Sequence, residues 1–290
     1  MKNVLCIDIG GTRIKAAILR DNIDLQSLKN TKVEVIRSLG WLNGSLPQII
    51  SKQHPASILQ QSSSLNQYDC VSLSAPVKVI DNGAEIKGYY VEKGGVPRNL
   101  KKAFGDICNC EVVVKNDSEC WLSGALNYSR LCSMKIEFPC LFIALGTGVG
   151  IAFSEQMHTV RGFDLSSLDI HFLYLSNISE QLVDKGWKVH ACLGEKYFYR
   201  VKSEHREWTY LKIQEDYTKR IIAFLKDIKA IKSINFNNIE TIFIGGGNAE
   251  YINYAILKEK IHKHIHMFTA CNLQINPDLI PLLGQIKLSQ

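Results

Sequence analysis

Two adjacent glycines beside an acidic and a hydroxyl side chain form the first group of residues in this sequence that could do chemistry. Asp8 is followed by Gly10, Gly11 and Thr12 in the run DIGGT. Adjacent glycines let backbone N–H groups converge on a ligand that a Cβ would exclude, and phosphate is a common ligand of such turns. Thr12 adds a hydroxyl donor, and Asp8 could hold a hydrated metal ion beside the phosphate. An ordinary hairpin turn with one charged neighbour explains the same residues equally well.

Two further glycine runs follow short apolar stretches later in the chain. The first lies between residues 140–145 and 151–153 and contains Gly146, Thr147, Gly148 and Gly150. The second follows residues 241–244, precedes a helix predicted to run through residue 260, and contains Gly245, Gly246, Gly247 and Asn248. A glycine turn between a strand and a helix suits the base, ribose or phosphate of a nucleotide. Taken alone, the first of these runs is better explained as an ordinary glycine-rich hairpin.

An amide and a carboxylate stand side by side where a predicted strand meets a predicted helix. Asn116 and Asp117 follow residues 111–115, which are mostly β-branched, and precede a helix predicted over residues 119–128. Short polar side chains at this position commonly cap the helix N-terminus. Capping is therefore the simpler interpretation of this pair in isolation.

These residues must be positioned by a small number of strands and turns. The apolar residues 4–7 are typical of a buried strand, which turns at the first glycine run and returns along residues 14–19 as a β-hairpin. The run around Gly146 repeats this order of strand, glycine turn and strand about half the chain length later. This internal repeat predicts two lobes of related topology, with a boundary near residue 116.

The remaining elements are shorter or less distinct in the sequence. Strands are predicted over residues 31–36 and 71–74 and as a pair within 79–86, and helices over 100–104, where Asn99 is the expected cap, within 46–65, and over 208–231. Residues 196–205 are polar and aromatic without an assigned element. The alternating histidines of residues 261–266 are interpreted as a solvent-exposed face rather than a metal site.

The composition argues against several kinds of partner. The 290 residues carry a formal charge of +6 but no dense basic block with interleaved aromatic residues, so no nucleic-acid partner is expected. The longest apolar stretch, residues 140–153, is too short to span a bilayer, so no membrane partner is expected. The nine cysteines are an odd number, and several lie in apolar runs, which indicates a reducing cytoplasm. The composition leaves a homodimer open.

The order and spacing of these motifs resemble the sugar kinases of the actin-like ATPase superfamily, and most of all the ROK family (repressors, open reading frames and kinases), which includes bacterial glucokinase-like enzymes. The resemblance spans nearly the whole chain. It implies an α/β, two-lobed actin-like ATPase (ribonuclease H-like) fold, with duplicated mixed-sheet domains and a central cleft. Residues 1–116 would form the N-terminal lobe and residues 117–290 the C-terminal lobe, with the last helix returning to the first lobe.

The resemblance also implies a role for each motif. The three glycine runs would bind the nucleotide through Asp8, Gly10, Gly11, Thr12, Lys15, Gly146, Thr147, Gly148, Gly150, Gly245, Gly246, Gly247 and Asn248. Asp117 would be the catalytic base that accepts the proton of a sugar hydroxyl, with Asn116 and Asn99 as substrate contacts. ATP and Mg²⁺ would be the cofactors, and Asp8 would hold the Mg²⁺ through water.

The chain departs from the family pattern in the sugar-binding region. The family usually carries Glu-x-Gly-His followed by a zinc-binding cysteine cluster. Residues 166–171 are SSLDIH, so His171 matches the family histidine, Asp169 stands in for the glutamate, and both are expected to contact substrate. No zinc site is expected, because the cysteine cluster is missing.

The sequence therefore predicts an ATP- and Mg²⁺-dependent kinase of a hexose or hexose derivative. Two alternatives stay open at this point. One is a catalytically inactive sugar-sensing or regulatory protein of the same fold, and the other is a kinase of a different small hydroxyl substrate such as pantothenate.

Overall fold

The computed structural model describes residues 2–10, 13–37, 68–80, 85–87, 98–108, 110–157, 159–163, 192–227 and 238–288. The chain divides into two compact units, Met1–Lys135 with Gln274–Gln290, and Ile136–Leu273. The division falls after Lys135, whereas the sequence predicted a boundary near residue 116. The C-terminal segment belongs to the first unit.

The elements are numbered in chain order. The strands are β1 Asn3–Ile9, β2 Arg13–Arg20, β3 Glu34–Arg37, β4 Cys70–Ala75, β5 Lys78–Ile80, β6 Glu85–Lys87, β7 Glu111–Asn116, β8 Cys140–Leu145, β9 Val149–Ser154, β10 Val160–Phe163, β11 Thr241–Gly245 and β12 His264–Phe268. The α-helices are α1 Leu25–Lys29, α2 Leu100–Cys108, α3 Asp117–Leu131, α4 Glu195–Glu204, α5 Tyr210–Asp227, α6 Tyr254–Lys260 and α7 Leu279–Leu283. A 3₁₀ helix covers Gly247–Tyr251.

The described residues form two five-stranded sheets with the same strand topology, one in each unit. In the first unit the order is β3-β2-β1-β4-β7, and in the second it is β10-β9-β8-β11-β12. Each sheet begins with an antiparallel hairpin, continues with a third antiparallel strand on one side, and adds two parallel strands on the other. The repeated topology confirms the predicted α/β fold with duplicated mixed sheets.

The two faces of the first sheet differ in chemistry. One face buries apolar residues from alternate positions of the strands, such as Leu5, Ile7 and Leu73. Because successive strand residues point to opposite faces, the residues between them face the other way. That second face carries small and polar side chains, including Ser72 and Ser74, and both of these serines are buried.

Helices α3 and α7 lie close together in the first unit because two glycines allow their backbones to approach. A Cβ on Gly124 would lie 1.8 Å from the carbonyl oxygen of Ile280, and a Cβ on Gly284 would lie 1.8 Å from that of Cys120. Helix α3 contacts β4 and β7, and α7 contacts β1 and β2. This packing attaches α3 to the first sheet and explains why the units divide after α3 rather than before it.

Three segments of the second unit differ from the sequence interpretation. Residues 195–204 form helix α4, which buries Tyr197 and Val201 on one side. A single helix was predicted after the glycine run and through Lys260. The structure has a 3₁₀ helix and a separate α6 there, because Asn253 caps a new helix by accepting a hydrogen bond from the backbone N–H of Ile256. The histidine-rich segment contributes β12, whose Ile265 is buried while His264 is exposed.

The other elements agree with the predictions in type. Both glycine hairpins, the strand pair β5 and β6, the helix capped by Asn99 and the long helix α5 are present. The predicted element within residues 46–65 lies outside the described residues. In the part of the chain that the structure describes, no helix combines the length and the apolar character that crossing a bilayer requires.

Candidate active site

Four polar residues form a single row across the first sheet. Asp8 on β1 pairs with Lys15 on β2 and with Ser74 on β4, and Ser74 pairs with Lys115 on β7. Paired residues of neighbouring strands share a face, so these side chains lie together on the face opposite the apolar cluster. Asp8 is only 3% exposed. The strand register thus places a buried carboxylate between a lysine and a serine.

Both oxygens of the Asp8 carboxylate have partners. The hydroxyl of Ser74 donates a hydrogen bond of 2.5 Å to Oδ1, and the Lys15 ammonium lies 3.4 Å from Oδ2. Lys15 also lies 3.2 Å from a carboxylate oxygen of Asp278 and 5.3 Å from the centre of the Trp121 ring. Burial lowers the pKa of Lys15, but the two carboxylates outweigh burial, so its pKa lies above the ordinary value. Lys15 therefore remains charged and bridges β2 to the C-terminal segment.

Asp117 is the first residue of α3 and immediately follows the β7 strand. Its Oδ1 accepts hydrogen bonds from the backbone N–H of Ser118 at 2.7 Å and from the Ser118 hydroxyl at 3.3 Å. Among the described residues, Oδ2 has no hydrogen-bond donor, and the residue as a whole is half-buried. Burial, and then the nearby charge of Asp8, raise the pKa of Asp117 to about 6. A carboxyl group with this pKa can exchange a proton near neutral pH.

Asn116 caps helix α3. Its side-chain oxygen accepts hydrogen bonds from the backbone N–H groups of Ser118 and Glu119 at 3.0 and 3.2 Å, and its amide nitrogen donates to the carbonyl of Val77 at 3.0 Å. Capping is thus confirmed for this residue. The same bonds hold the start of α3 against the loop after β4 and so define where Asp117 lies.

Asn99 also acts as a helix cap. Its side-chain oxygen accepts a 2.8 Å hydrogen bond from the backbone N–H of Lys102 in helix α2, and the residue is exposed. The structure therefore gives it a local role, and its predicted contact with substrate stays a prediction.

The second and third glycine runs lie side by side in the second unit. The backbone N–H of Gly146 donates to the carbonyl of Gly148 at 2.9 Å and closes the turn between β8 and β9. The side-chain amide of Asn248 donates to the carbonyl of Gly146 at 2.7 Å. The backbone N–H of Glu195 donates to the carbonyl of Thr147 at 3.2 Å, so the start of α4 lies against the same turn. Two of the three predicted nucleotide motifs are therefore adjacent.

The glycines of these runs are needed for different reasons. Gly246 has φ of 97°, and a Cβ there would lie 2.3 Å from the carbonyl oxygen of Leu145, so the fold itself requires glycine. A Cβ on Gly146 or Gly247 would meet no described atom within 4 Å. The described part of the fold therefore leaves space beside the backbone at these two positions.

For the other predicted site residues, the structure gives a position in a turn or strand, or no description. The backbone N–H of Gly10 donates to the carbonyl of Arg13 at 2.9 Å and closes the first hairpin. Gly150 lies in β9 and Gly245 ends β11. Gly11, Thr12, Asp169 and His171 lie outside the described residues.

Sequence reasoning missed three residues that surround Asp8. Ser74 had a signal, because the alternation in CVSLSA places two serines on one face of β4. Asp278 and the 4% exposed Gln285 had none, because they are more than 260 residues from Asp8 in sequence. Their nearness to Asp8 depends on the C-terminal segment packing against the first sheet.

Each oxygen of Asp8 keeps a further lone pair beside its contact with Ser74 or Lys15, so this carboxylate could hold a magnesium ion through water. Mg²⁺ prefers oxygen ligands and keeps several of its own waters, so a single carboxylate is sufficient to hold it when a nucleotide supplies further oxygens. No group of three or more His, Cys, Asp or Glu side chains that could hold a metal occurs in the described part of the chain.

The described residues form an α/β fold that is built on a duplicated five-stranded sheet. Among solved structures, the chain is similar to an inorganic polyphosphate/ATP-glucomannokinase from an Arthrobacter strain, with a TM-score of 0.66 and 16% identity over 98% of this chain and 97% of the other. It is also similar to a ROK-family glucokinase from Streptomyces griseus, solved with glucose and AMPPNP, with a TM-score of 0.62 and 13% identity over 98% and 97% of the two chains. A ROK hexokinase from Thermus thermophilus gives a TM-score of 0.61 at 13% identity over 98% and 97%.

These similarities cover 97–98% of each chain and show that this protein shares the fold of those three proteins. No protein-family model and no curated protein matches the sequence. Structural similarity alone therefore shows the shared fold.

Proposed function

We propose that this protein is a kinase that transfers the γ-phosphoryl group of ATP to a hydroxyl of a hexose or hexose derivative. The observation that carries the proposal is the carboxyl group of Asp117, which has a pKa of about 6, a free oxygen among the described residues, and the charge of Asp8 nearby. In a fold of sugar kinases, such a group is suited to activating an acceptor hydroxyl. Phosphoryl transfer needs little more than charge neutralisation and in-line positioning.

The acceptor is activated by proton transfer to Asp117. The ionised carboxylate accepts the hydroxyl proton as that oxygen attacks the γ-phosphorus. Asn116 holds the start of α3, and its amide nitrogen has a second hydrogen that can contact the sugar. Asn99, Asp169 and His171 are proposed as further sugar contacts.

The glycine runs bind the nucleotide in this proposal. The turn of Gly10, Gly11 and Thr12 and the turn of Gly146 to Gly150 donate backbone N–H groups to phosphate oxygens, and the run of Gly245 to Asn248 contacts the nucleoside. Asp8 holds Mg²⁺ through water, and the ion, when bound, neutralises charge on the β- and γ-phosphates. Lys15 is proposed to support this site through its pairing with Asp8.

The cellular setting is proposed from the side chains. The cysteines whose side chains the structure describes carry free thiols, as expected for a protein of the cytoplasm. We propose ATP and a small sugar as its partners, with no zinc ion and no nucleic acid. Self-association into a homodimer would appear as a doubled mass in solution.

The test is an assay of ADP release with ATP, Mg²⁺ and a panel of hexoses and their N-acetyl derivatives, applied to the natural protein and to Asp117→Asn. We expect turnover with at least one sugar, and a loss of about 10²–10⁴-fold in kcat for the variant with unchanged ATP affinity. The rate of the natural protein should rise with pH up to about 6 and level off above it, because the base must be ionised.

The matched control is Asp24→Asn. Asp24 caps helix α1 by accepting a 2.7 Å hydrogen bond from the backbone N–H of Ser27, and asparagine caps equally well. This variant should retain full activity. Binding of a sugar and of ATP without ADP release from any sugar would favour the sugar-sensing alternative and overturn the proposed kinase.

A further inference from the structure

We propose that Gln285 is a positioning residue for the metal-holding carboxylate, acting through the hydroxyl of Ser74 on Asp8. This inference rests on the proposed function in one respect, the role of Asp8 toward Mg²⁺. It assigns a task in the site to the C-terminal segment, which is far from the glycine runs in sequence.

The first step is the orientation of the Gln285 amide. Its Oε1 accepts a hydrogen bond from the backbone N–H of Ile7 at 3.2 Å, and its Nε2 donates to the carbonyl oxygen of Ile7, also at 3.2 Å. A backbone N–H can only donate and a carbonyl can only accept, so the reversed amide would place two donors together and two acceptors together. The backbone of Ile7 therefore fixes which end of the amide carries the hydrogens.

The second step is the direction of the Ser74 hydroxyl. The amide nitrogen of Gln285 donates to Ser74 Oγ at 3.1 Å. A serine hydroxyl has one hydrogen, and since Gln285 already supplies a donor, that hydrogen is directed to the other neighbour, Asp8 Oδ1, at 2.5 Å. The hydrogen bonds that link Ile7, Gln285, Ser74 and Asp8 can therefore form with only one assignment of donors and acceptors.

The third step is that the same C-terminal segment also acts on the other side of Asp8. Lys15 lies 3.4 Å from Asp8 Oδ2 and 3.2 Å from an oxygen of Asp278, which stands directly before α7. The close contact between Gly124 and Gly284 holds the residue before Gln285 against α3. Both oxygens of Asp8 are therefore oriented by residues that the C-terminal segment holds in place.

The test uses Gln285→Met, which keeps the length of the side chain and removes its polar atoms, and Ser74→Ala, which leaves the bonds between Gln285 and Ile7 intact. The probe is ATP, and the readout is its binding by calorimetry over a series of MgCl₂ concentrations. We expect both variants to need about tenfold more Mg²⁺ for half-maximal enhancement of ATP binding, because removing a group that orients a metal-holding side chain typically weakens metal binding by that order. ATP affinity in EDTA should stay unchanged.

The control is Ser72→Ala on the same face of β4. The Ser72 hydroxyl donates to the backbone carbonyl of Gln285 at 3.5 Å, and no hydrogen bond joins it to Asp8 in the described part of the chain. This variant should keep the Mg²⁺ requirement of the natural protein. In the double variant Ser74→Ala with Gln285→Met, the rise in the Mg²⁺ requirement should not exceed that of the larger single variant, because both changes break the same series of hydrogen bonds.

The outcomes separate this inference from the proposed function. If the natural protein binds ATP in a Mg²⁺-dependent way but phosphorylates no sugar, the kinase proposal fails while the positioning role is still measured by the binding shift. A fall in thermal stability of Gln285→Met and Ser74→Ala with the Mg²⁺ requirement unchanged would show a purely structural role and overturn the inference. Should Gln285→Met fail to fold, Ser74→Ala decides the question in the same assay.

Discussion

The carboxyl group of Asp117 is held in a position that is unfavourable to its own charge. Its surroundings in the protein and the nearby Asp8 raise its pKa to about 6, even though hydrogen bonds from Ser118 act in the opposite direction. A raised pKa does not help a carboxyl group that only caps or starts a helix, because a helix N-terminus favours the ionised carboxylate. The energetic cost at Asp117 is therefore a reason to connect it with function.

The first prediction is that Asp117→Asn stabilises the protein at neutral pH. Because the folded pKa of about 6 lies above the ordinary value of 3.8, the folded state binds the proton more tightly, and its stability falls as pH rises from about 4 to 6. Asparagine has no such cost, so the variant should be more stable by about 1–3 kcal/mol at pH 7 and equal to the natural protein below about pH 4. Urea unfolding from pH 4 to 8 measures the difference.

Asp24→Asn serves as the control for this measurement as well. The pKa of Asp24 is lowered by its hydrogen bond to the backbone of Ser27, so removing its charge gives no stabilisation at neutral pH. Parallel pH profiles for the natural protein and Asp117→Asn would contradict the prediction, because they would mean that Asp117 titrates alike in both states.

At the scale of elements, the glycines separate into those that the fold requires and those that it leaves open. Gly246 and Gly247 are neighbours in one run, yet only Gly246 has a positive φ and a close backbone neighbour. The sequence alone gives no way to distinguish these two glycines. The structure shows that the fold requires glycine at position 246, whereas a Cβ at position 247 would meet no described atom within 4 Å.

The second prediction follows from this pair. Gly247→Ala should fold normally and lose ATP affinity by about tenfold, because the methyl group enters space where bare backbone is open to a ligand. Gly246→Ala should lower thermal stability, because its Cβ would lie 2.3 Å from the Leu145 carbonyl oxygen. Thermal unfolding and ATP titration of both variants check the outcome. Equal loss of stability in both would remove the argument for a ligand at Gly247.

The third prediction concerns the contact between helices α3 and α7. Gly124→Ala should destabilise the protein by about 1–3 kcal/mol or more, because its methyl group cannot fit 1.8 Å from the Ile280 carbonyl oxygen. Gly105→Ala in α2 is the matched control, since a Cβ there meets no described atom within 4 Å and alanine favours a helix by about 1 kcal/mol. Denaturant unfolding should show opposite signs for the two variants, and a stable Gly124→Ala would mean that the helices can separate without cost.

At the scale of the whole molecule, one unit is discontinuous in sequence. The first unit joins residues from both ends of the chain, whereas the second is a single segment, Ile136–Leu273. The C-terminal segment buries Leu279, Ile280, Leu282 and Leu283 of α7 in the first unit, together with Gln285. The folding of the first unit therefore depends on two segments that are far apart in sequence.

The fourth prediction is that removal of residues 274–290 prevents stable folding of the first unit. The deletion exposes the apolar surface that α7 covers and leaves the backbone of Ile7 without the Gln285 amide. Limited proteolysis followed by mass spectrometry should show new cleavage, relative to the natural protein, among the described residues of 1–135, and no new cleavage among the described residues of 136–273. Deletion of residues 289–290 alone is the control and should leave the digestion pattern unchanged. An uncleaved first unit in the longer deletion would show that α7 is dispensable.

The glycine runs and the alternation of apolar residues determined much of this protein without any structure. Both hairpins, the duplicated sheets and the strand that leads into Asn116 and Asp117 follow from local patterns, because strand alternation and glycine turns are decided within a few residues. The capping role of Asn116 and Asn99 is equally local. The histidine-rich segment that forms β12 was missed, since a short edge strand has a weak pattern of its own.

The surroundings of Asp8 were decided only by the tertiary structure. Ser74 is 66 residues from Asp8 in sequence. Asp278 and Gln285 both come from the C-terminal segment, and no periodicity links that segment to Asp8. The pKa of Asp117 likewise depends on burial and on a charge more than a hundred residues away. The sequence by itself determined the two glycine hairpins, the capped helices and the motifs they carry, because short-range sterics and hydrogen bonds act between neighbouring residues. Which side chains face one carboxylate depends on how those elements pack, and that is a property of the folded molecule alone.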